Sequence, residues 1–436
     1  MWELVFGFLK PKIRCQGWEG NVQTLPPPDS VTLPLSQPER MPFNPVVDVG
    51  DSVKTGQFIA MLPSRTGVHA SVTGRVTSIG PGYSWDGRKI LTMSIERESD
   101  DVFERPIILE DLRRVPRDQL IKSLADLGAG SPWKPESLKD KLSEIERIAV
   151  KTVIIRAVDR EPPISVQRRF LTEFSSDLAE SIKGMRNIAG DARIVVAVPE
   201  SMKDQARSIL KDVEIFPVGD STLDTNPTLL IYKITRKFCT VHETPRRHGI
   251  SILSAEDVAF VARCLHQGKS RTNKFVTVSA PDLKKPVTVR VRLGTPVGHV
   301  LKCLNVNIAT GDRILFGGPM MGIAQPDMNA GVVRGVSGIT VIPASKVTPF
   351  TDEPCINCGR CVSVCPVNIQ VNLVGRYSEF GYFEKAVMGG SGSCVECGLC
   401  AYVCPSQRPL LQYMRFANYQ YASLLKDQRV EEEGEQ

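Results

Sequence analysis

The first hundred residues of the chain alternate apolar and polar side chains in short runs that glycine turns separate. Residues 45–60 place apolar side chains between turns at Gly50 and Gly56, and residues 68–79 repeat the pattern around Gly74. Alternation with a period of two predicts strands that bury one face, and the glycines predict turns between them. A further strand is expected over residues 90–95. These patterns predict a small all-β domain over residues 1–100.

The two halves of this domain resemble the barrel-sandwich fold of biotinyl and lipoyl carriers. A swinging-arm carrier needs a lysine at the tip of the hairpin between the halves. Residues 61–67 span that tip and contain no lysine. We therefore expect a structural barrel rather than a carrier.

The hydrophobic pattern changes over residues 101–270, where apolar runs alternate with amphipathic stretches. Strands are expected over residues 151–156, 192–198 and 213–217, and helices over 166–189 and 254–267. Strand–helix alternation predicts an α/β core with a largely parallel sheet.

The pattern returns to strands over residues 271–345. Strands are expected at 275–279, 287–292 and 314–316, with one helix over 293–304. This order predicts a small β-grasp domain. The turn at 317–322, G-G-P-M-M-G, has unusually little side chain.

Eight of the twelve cysteines form one pattern near the C-terminus, C-x2-C-x2-C-x3-C-P, which occurs twice. This is the spacing of a two-cluster ferredoxin. Three closely spaced thiolates close around one face of a [4Fe-4S] cubane, and the x3 step carries the fourth cysteine to the other cluster. The spacing therefore predicts one cluster on Cys355, Cys358, Cys361 and Cys404, and a second on Cys394, Cys397, Cys400 and Cys365.

Zinc and disulfides are the alternatives for these cysteines. Zinc would need only two C-x2-C pairs, which leaves the third cysteine and the trailing C-P without a role. Disulfides would need an oxidising compartment, and nothing in the sequence signals export. The iron–sulfur interpretation is favoured, with a two-cluster domain over residues 346–410 and a C-terminal helix and acidic tail over 411–436.

Composition and charge narrow the function classes. The chain has 436 residues and a net charge of +6, which is too weak to indicate nucleic-acid binding. There is no run of eighteen apolar residues, so no transmembrane segment is expected and a membrane role would come through partners. The four cysteines outside the motif are expected to be small core residues in a reducing cytoplasm.

A glycine loop before a predicted helix offers a candidate phosphate site. Residues 128–135 read G-A-G-S-P-W-K-P. Backbone N–H groups in such a loop, together with the dipole of the following helix, can hold a phosphate. A plain turn explains the same residues equally well.

The domain order and four segments resemble the RnfC family, which supplies one subunit of the Rnf-type ion-translocating electron-transport complex. The segments at 394–417 and 317–322 are similar to that family almost letter for letter, and the segments at 45–57 and 69–76 match its N-terminal barrel. The resemblance covers nearly the whole chain. It implies an N-terminal barrel sandwich, an α/β core like the flavin-binding subunit of complex I, a β-grasp domain and a dicluster ferredoxin domain.

The same resemblance implies cofactors, partners and a location. FMN and NADH would bind the α/β core, and electrons would pass through two [4Fe-4S] clusters. Membrane and iron–sulfur subunits of the complex would be partners, with ferredoxin or another redox donor. The protein would lie peripherally at the cytoplasmic face of the cell membrane.

The chain departs from the family at the nucleotide site. The family loop G-x-G-G-A-G-F-P-T stands here as A-D-L-G-A-G-S-P-W, residues 125–133, and the segment E-P-Y-x-T-x-D stands as E-P-P-I-S-V-Q, residues 161–167. Two glycines, an aromatic residue and an acid are therefore missing. The candidate nucleotide-binding residues that remain are Gly128, Gly130, Lys134 and Glu161.

These departures favour one hypothesis over two others. The favoured hypothesis is an electron-relay subunit that keeps both clusters. In such a subunit NADH binding is weak or lost, and FMN is bound at less than one per chain. The alternative is an active FMN-dependent NADH dehydrogenase subunit. A cobalamin-reductase-like flavoprotein is a third hypothesis, but that family places its barrel domain last.

Overall fold

The computed structural model describes residues 20–36, 43–62, 67–85, 87–104, 115–116, 119–120, 122–123, 150–211, 213–240, 245–351 and 353–434. In these residues the chain forms two compact units. The larger unit contains residues 20–220 and 245–345, and the smaller contains 221–240 and 346–434. No helix in the described ranges has the length and apolar character needed to cross a membrane.

The N-terminal barrel is made of two small antiparallel sheets. The first strand of the chain, β1 (Gln23–Thr24), belongs to a different sheet. The barrel strands are β2 (Ser30–Pro34), β3 (Asn44–Pro45), β4 (Ser52–Val53), β5 (Phe58–Met61), β6 (Gly67–His69), β7 (Gly74–Tyr83) and β8 (Lys89–Arg97). They are ordered β2-β8-β7-β4 and β3-β5-β6. Alternate residues such as Val31, Leu33, Met93 and Ile95 are buried, which confirms the predicted barrel.

A four-stranded parallel sheet forms the α/β core, as predicted. Its elements in chain order are β9 (Thr152–Arg156), α1 (Ser175–Ala189), β10 (Arg193–Pro199), α2 (Lys203–Ile209), β11 (Glu214–Val218), then, after an excursion, β12 (Ile250–Ser254) and a final helix, Ala255–Gln267. The strand order is β11-β10-β9-β12. Between β11 and β12 the chain passes through the smaller unit, where it forms α3 (Pro227–Thr235). The helix Ala255–Gln267 that ends the core is therefore numbered α4.

The helix expected over residues 166–189 is split in the structure. A 3-10 turn covers Gln167–Leu171 and α1 begins only at Ser175. The Asp159 carboxylate accepts the N–H groups of Val166 and Gln167 at 2.8 Å each, so the first turn is tied to the loop after β9.

The β-grasp sheet follows α4. Its elements are β13 (Asn273–Ser279), β14 (Val287–Arg292), α5 (Val297–Cys303), β15 (Arg313–Phe316), β16 (Ile323–Ala324) and β17 (Gly338–Ile342). The sheet order is β1-β14-β13-β17-β15-β16, with β13 parallel to β17 and antiparallel to β14. One face of this sheet shares a hydrophobic core with the barrel, through Val276, Val278, Val289 and Val291.

In the cysteine-containing part of the smaller unit, the described residues form helices and loops and no strand. It contains α6 (Arg360–Ser363), α7 (Val371–Glu379), α8 (Phe383–Met388), α9 (Leu399–Tyr402) and α10 (Leu410–Gly434). The sequence prediction places residues 221–244 in the α/β domain, whereas the described part of this segment lies in the smaller unit. A sequence pattern shows local structure but not which core a segment joins, so the other predicted boundaries stay predictions.

Candidate metal centres

The two cysteine motifs form matching loops at a constant offset of 39 residues, from Cys355 to Cys394 and from Cys365 to Cys404. In each loop a glycine in the left-handed region starts a short helix, Gly359 at φ 72° before α6 and Gly398 at φ 75° before α9. A side chain would be strained in that conformation, which accounts for glycine at this place in both motifs.

The structure gathers the cysteines around two separate cavities. One cavity is lined by Cys355, Cys358, Cys361 and Cys404. The other is lined by Cys365, Cys394, Cys397 and Cys400. Each cavity thus combines three cysteines of one motif with the last cysteine of the other, in the two groups that the spacing predicted.

The arrangement of the thiols suits a cluster better than a single ion. Within the described ranges, no three His, Cys, Asp or Glu side chains converge closely enough to hold one metal ion. None of the eight motif cysteines is in a disulfide. Zinc would draw four sulfurs to about 2.3 Å from one point, whereas a cubane places its own iron and sulfide atoms between the thiolates. Four thiols spread around a cavity therefore fit a [4Fe-4S] group.

In the second cavity, the one lined by Cys365, Cys394, Cys397 and Cys400, burial raises the pKa of three thiols. It raises the pKa of Cys394 to about 12 and that of Cys397 to about 11. The pKa of Cys400 is raised well above its usual value by the same cause. Because thiolate is the ligand form, loading this site must release protons.

The two cavities differ in their exposure to solvent. Cys358 of the first cavity is exposed, whereas Cys365, Cys397 and Cys400 of the second are buried. The residue after the first cysteine shows the same contrast, because Ile356 is 65% exposed and its counterpart Val395 is 3% exposed. Exposure to solvent is one of the factors that set cluster potentials.

A segment from outside the motifs covers the second cavity loop. Asn226 is buried at the start of α3, and its side-chain oxygen accepts the N–H groups of Thr228 and Leu229. Its Nδ2 donates to the carbonyl oxygen of Val395 at 2.9 Å. The Asn-Pro pair at 226–227 is a recognisable helix-start signal. Its contact with Val395, 169 residues away, left no signal in the sequence.

An arginine supports each loop at the residue before the second cysteine. Arg376 Nη2 donates to Asn357 Oδ1 at 3.1 Å, and Arg415 Nε donates to Glu396 Oε2 at 2.9 Å. Asn357 and Glu396 both have positive φ, 55° and 51°. The bond to Glu396 pairs opposite charges, whereas the amide of Asn357 does not neutralise Arg376. Neither arginine was predicted from the sequence, although the same offset of 39 residues relates them.

The predicted nucleotide residues are only partly described. Gly128, Gly130 and Lys134 lie outside the described residues. Glu161 is buried, and its carboxylate accepts the N–H groups of Gly318, Met320 and Met321 at 2.9, 3.0 and 3.1 Å. Burial raises the pKa of Glu161 although these donors favour its charged form. The turn at 317–322 is therefore the partner of Glu161 within the chain, and a cofactor role for Glu161 stays a prediction.

A cavity lies beside Glu161 at the carboxyl ends of β9 and β12. Its lining includes Arg156 and Ser254 from the strand ends and both acidic and basic side chains from neighbouring loops. Arg156 Nη1 is buried and has no hydrogen-bond acceptor among the described residues. Burial lowers the pKa of Arg156 to about 10. Ligands of parallel α/β sheets bind at this edge, and the free donor of Arg156 suits an anionic group.

Comparison with known proteins agrees with this architecture. Residues 5–100 match the RnfC barrel sandwich hybrid domain, and residues 354–408 match the 4Fe-4S dicluster domain. The protein is thus a dicluster iron–sulfur protein with an N-terminal barrel sandwich. In its N-terminal domain it is similar to the RnfC family.

Two relatives cover most of the chain. The C subunit of the ion-translocating oxidoreductase complex of Rhodobacter capsulatus is 29% identical over 416 residues, which are 92% of this chain and 79% of that protein. The C subunit of the Na(+)-translocating ferredoxin:NAD(+) oxidoreductase complex of Acetobacterium woodii is 25% identical over 371 residues. These residues are 82% of this chain and 83% of that protein. An NAD+-reducing [NiFe]-hydrogenase in the H2-reduced state matches 70% of this chain and 63% of its own, at 14% identity and a TM-score of 0.48.

We predict that Asn226→Asp changes the potential of only one cluster, the one at the cavity lined by Cys365, Cys394, Cys397 and Cys400. The carboxylate can still cap α3 but cannot donate to Val395, so the loop between Cys394 and Cys397 loses its tether. EPR-monitored redox titration of anaerobically purified protein should show one of two signals shifted and the other unchanged. Ser254→Ala, which removes the cap of α4 without touching a cysteine loop, is the matched control. Equal shifts of both signals in Asn226→Asp would contradict a local tether.

We predict that Gly318→Ala destabilises the larger unit. A Cβ at residue 318 would lie 2.4 Å from the Glu161 Cδ atom, so the carboxylate must leave its three donors or the turn must move. Overpacking of this kind costs about 1–3 kcal/mol. Thermal unfolding measures the loss. Gly80→Ala, where a Cβ meets nothing within 4 Å, should leave the unfolding temperature nearly unchanged. Equal unfolding temperatures for both variants would refute the close approach.

Proposed function

We propose that this chain is an electron-transfer subunit of an Rnf-type ion-translocating oxidoreductase complex, which relays electrons through two [4Fe-4S] clusters. The observation that carries the proposal is the pair of cavities, each lined by four thiols with the fourth taken from the opposite motif. The names of the two relatives, each the C subunit of such a complex, support it.

The cysteines that line each cavity are proposed as the ligands of one cluster. When bound, the clusters supply one-electron transfer. The chain supplies thiolates, backbone N–H donors to sulfur and exclusion of water. Glu396 N–H donates to Cys394 Sγ and Ile369 N–H to Cys365 Sγ, both at 3.4 Å. Both donors lie at the second site, whose thiols are also the more deeply buried.

The two sites are proposed to have different reduction potentials. Reduction adds negative charge, which water and nearby positive charge stabilise. The first site has the exposed Cys358 and has Arg376 bound to a neutral amide, whereas Arg415 beside the second site is paired with Glu396. Both differences favour the higher potential at the first site. Electrons would then pass from the second site to the first.

The exposed edge of the first site is the proposed place of exchange with a partner. Ile356 and Cys358 there are open to solvent, and an apolar residue at the rim suits contact with a protein surface. The membrane and iron–sulfur subunits of the complex, and ferredoxin or another redox donor, are the partners we propose. The complex would hold the chain at the cytoplasmic face of the membrane.

A second candidate function is that of an active FMN-dependent NADH dehydrogenase subunit. The cavity at the ends of β9 and β12 favours it, because the buried Arg156 donor there could hold a phosphate of such a cofactor. The replaced loop glycines and the internal use of Glu161 favour the relay instead. Cofactor measurements therefore decide between the two functions.

We predict that Cys365→Ser damages the second site, not the site formed by its own motif. Anaerobic wild-type protein should contain about eight irons, four per cubane. Cys365→Ser should remove the EPR signal of lower potential, and Cys355→Ser the one of higher potential. Cys303→Ser, at a half-buried cysteine outside both motifs, should keep both signals. Loss of the same signal in the two motif variants would overturn the exchanged ligation, and stoichiometric zinc with little iron would overturn the cluster assignment.

We predict that the protein binds NADH weakly or not at all and holds less than one FMN per chain. Leu127 adds a side chain where the family loop has glycine, and Asp126 would oppose each phosphate charge by about 1 kcal/mol or more per close pair. Calorimetric titration with NADH and fluorescence of acid-released flavin measure both quantities. Micromolar NADH affinity with one FMN per chain, both reduced by Arg156→Gln, would establish the dehydrogenase in place of the relay.

A further inference from the structure

The larger unit contains another cavity besides the one beside Glu161. This cavity is lined by basic side chains and by no residue of the cysteine motifs. It lies between the last turns of α4, the start of β13 and the end of β14, with Phe103 at its edge. Five cationic residues share its lining: Arg263, Lys269, Arg271, Arg290 and Arg292. No acidic side chain is among its described lining residues.

The local fold explains why these charges meet. Arg290 and Arg292 are two residues apart on β14, so they point to the same face, while Val289 and Val291 face the hydrophobic core. Antiparallel pairing sets Arg292 opposite Asn273 at the start of β13. The short connection from α4 to β13 then brings Lys269 to the same place.

Two of the five charges are neutralised by carboxylates inside the unit. Arg271 pairs with Glu256 at 2.8 Å and with Asp257 at 2.7 Å. Arg292 pairs with Asp101. Arg263 has only a distant contact, 3.8 Å from Asp177.

Lys269 and Arg290 have no carboxylate partner among the described residues. Lys269 Nζ lies 4.3 Å from the centre of the Phe103 ring, which attracts a cation without cancelling its charge. Arg290 Nε is buried and has no described acceptor. Burial lowers the pKa of Arg290, and the positive charges of Arg263 and Arg292 lower it further. Two positive charges therefore remain uncompensated at one cavity.

We propose that this cavity binds a phosphate dianion, either inorganic phosphate or the phosphoryl group of a phosphate monoester. Two uncompensated cations match the charge of a dianion, and the guanidinium of Arg290 offers the geometry that phosphate oxygens accept. A buried donor without an acceptor is costly, and a bound phosphate oxygen would remove that cost. The site shares no lining residue with the cavity beside Glu161.

The test uses the full-length protein with its clusters loaded. Isothermal titration with inorganic phosphate and with AMP, at constant ionic strength set by chloride, should show saturable binding of at least one of them. Arg290→Gln and Lys269→Gln should each weaken that binding about tenfold or more. Arg193→Gln, at an exposed ion pair with Glu214 in the same unit, should not change it. Iron content and thermal unfolding verify that each variant is folded.

The outcomes separate the sources of the phosphoryl group. Tighter binding of AMP indicates a monoester, and tighter binding of inorganic phosphate indicates the free ion. Affinity for AMP should fall when pH is lowered below about 6, where a monoester loses its second charge. Absence of saturable binding in the wild type, or unchanged binding in folded Lys269→Gln and Arg290→Gln, would overturn the proposal.

Discussion

Both candidate cluster sites depend on the exchange of one cysteine between two loops. Cys365 and Cys404 each leave their own motif on a short helix and line the cavity of the other. The exchange requires the two motifs to lie on one shared core, which Ile369, Val374 and Met414 build with their neighbours. Neither site can be completed without a cysteine of the other motif, so the two sites must form together during folding.

The larger unit handles its buried charges by a consistent rule. Lys274 pairs with Glu256, Arg271 pairs with two carboxylates, and Glu161 is held by three backbone N–H groups. An unpaired buried charge is strongly disfavoured, so such pairing is expected throughout a core. Buried guanidinium nitrogens without a described acceptor remain on Arg97, Arg156 and Arg290. Of these three residues, Arg156 and Arg290 line the cavities that we propose for anions.

Much of this architecture could be predicted from local patterns. The period-two alternation of the barrel, the parallel strands of the core and the grouping of the eight cysteines all follow from spacing along the chain. What escaped prediction depends on contacts between distant residues. Three contacts were missed: the tether from Asn226 to Val395, the turn that holds Glu161, and the cavity that brings Lys269 near Arg290. Each joins segments whose local sequence patterns give no sign that they are in contact. The break before α1 was missed because the carboxylate of Asp159, outside the helix, fixes its first turn.

The excursion that contains α3 has a consequence for the order of biosynthesis. The chain leaves the larger unit after Asp220, returns by Pro245 and leaves again after Ser345. Asn226 therefore emerges from the ribosome 169 residues before Val395. At ordinary rates of synthesis this interval lasts roughly ten to thirty seconds. During that time α3 has no loop to cover, and the buried thiols beside Val395 do not yet exist. The segment around Val395, made well after α3, thus completes both the contact of α3 with this loop and the site into which iron must be delivered.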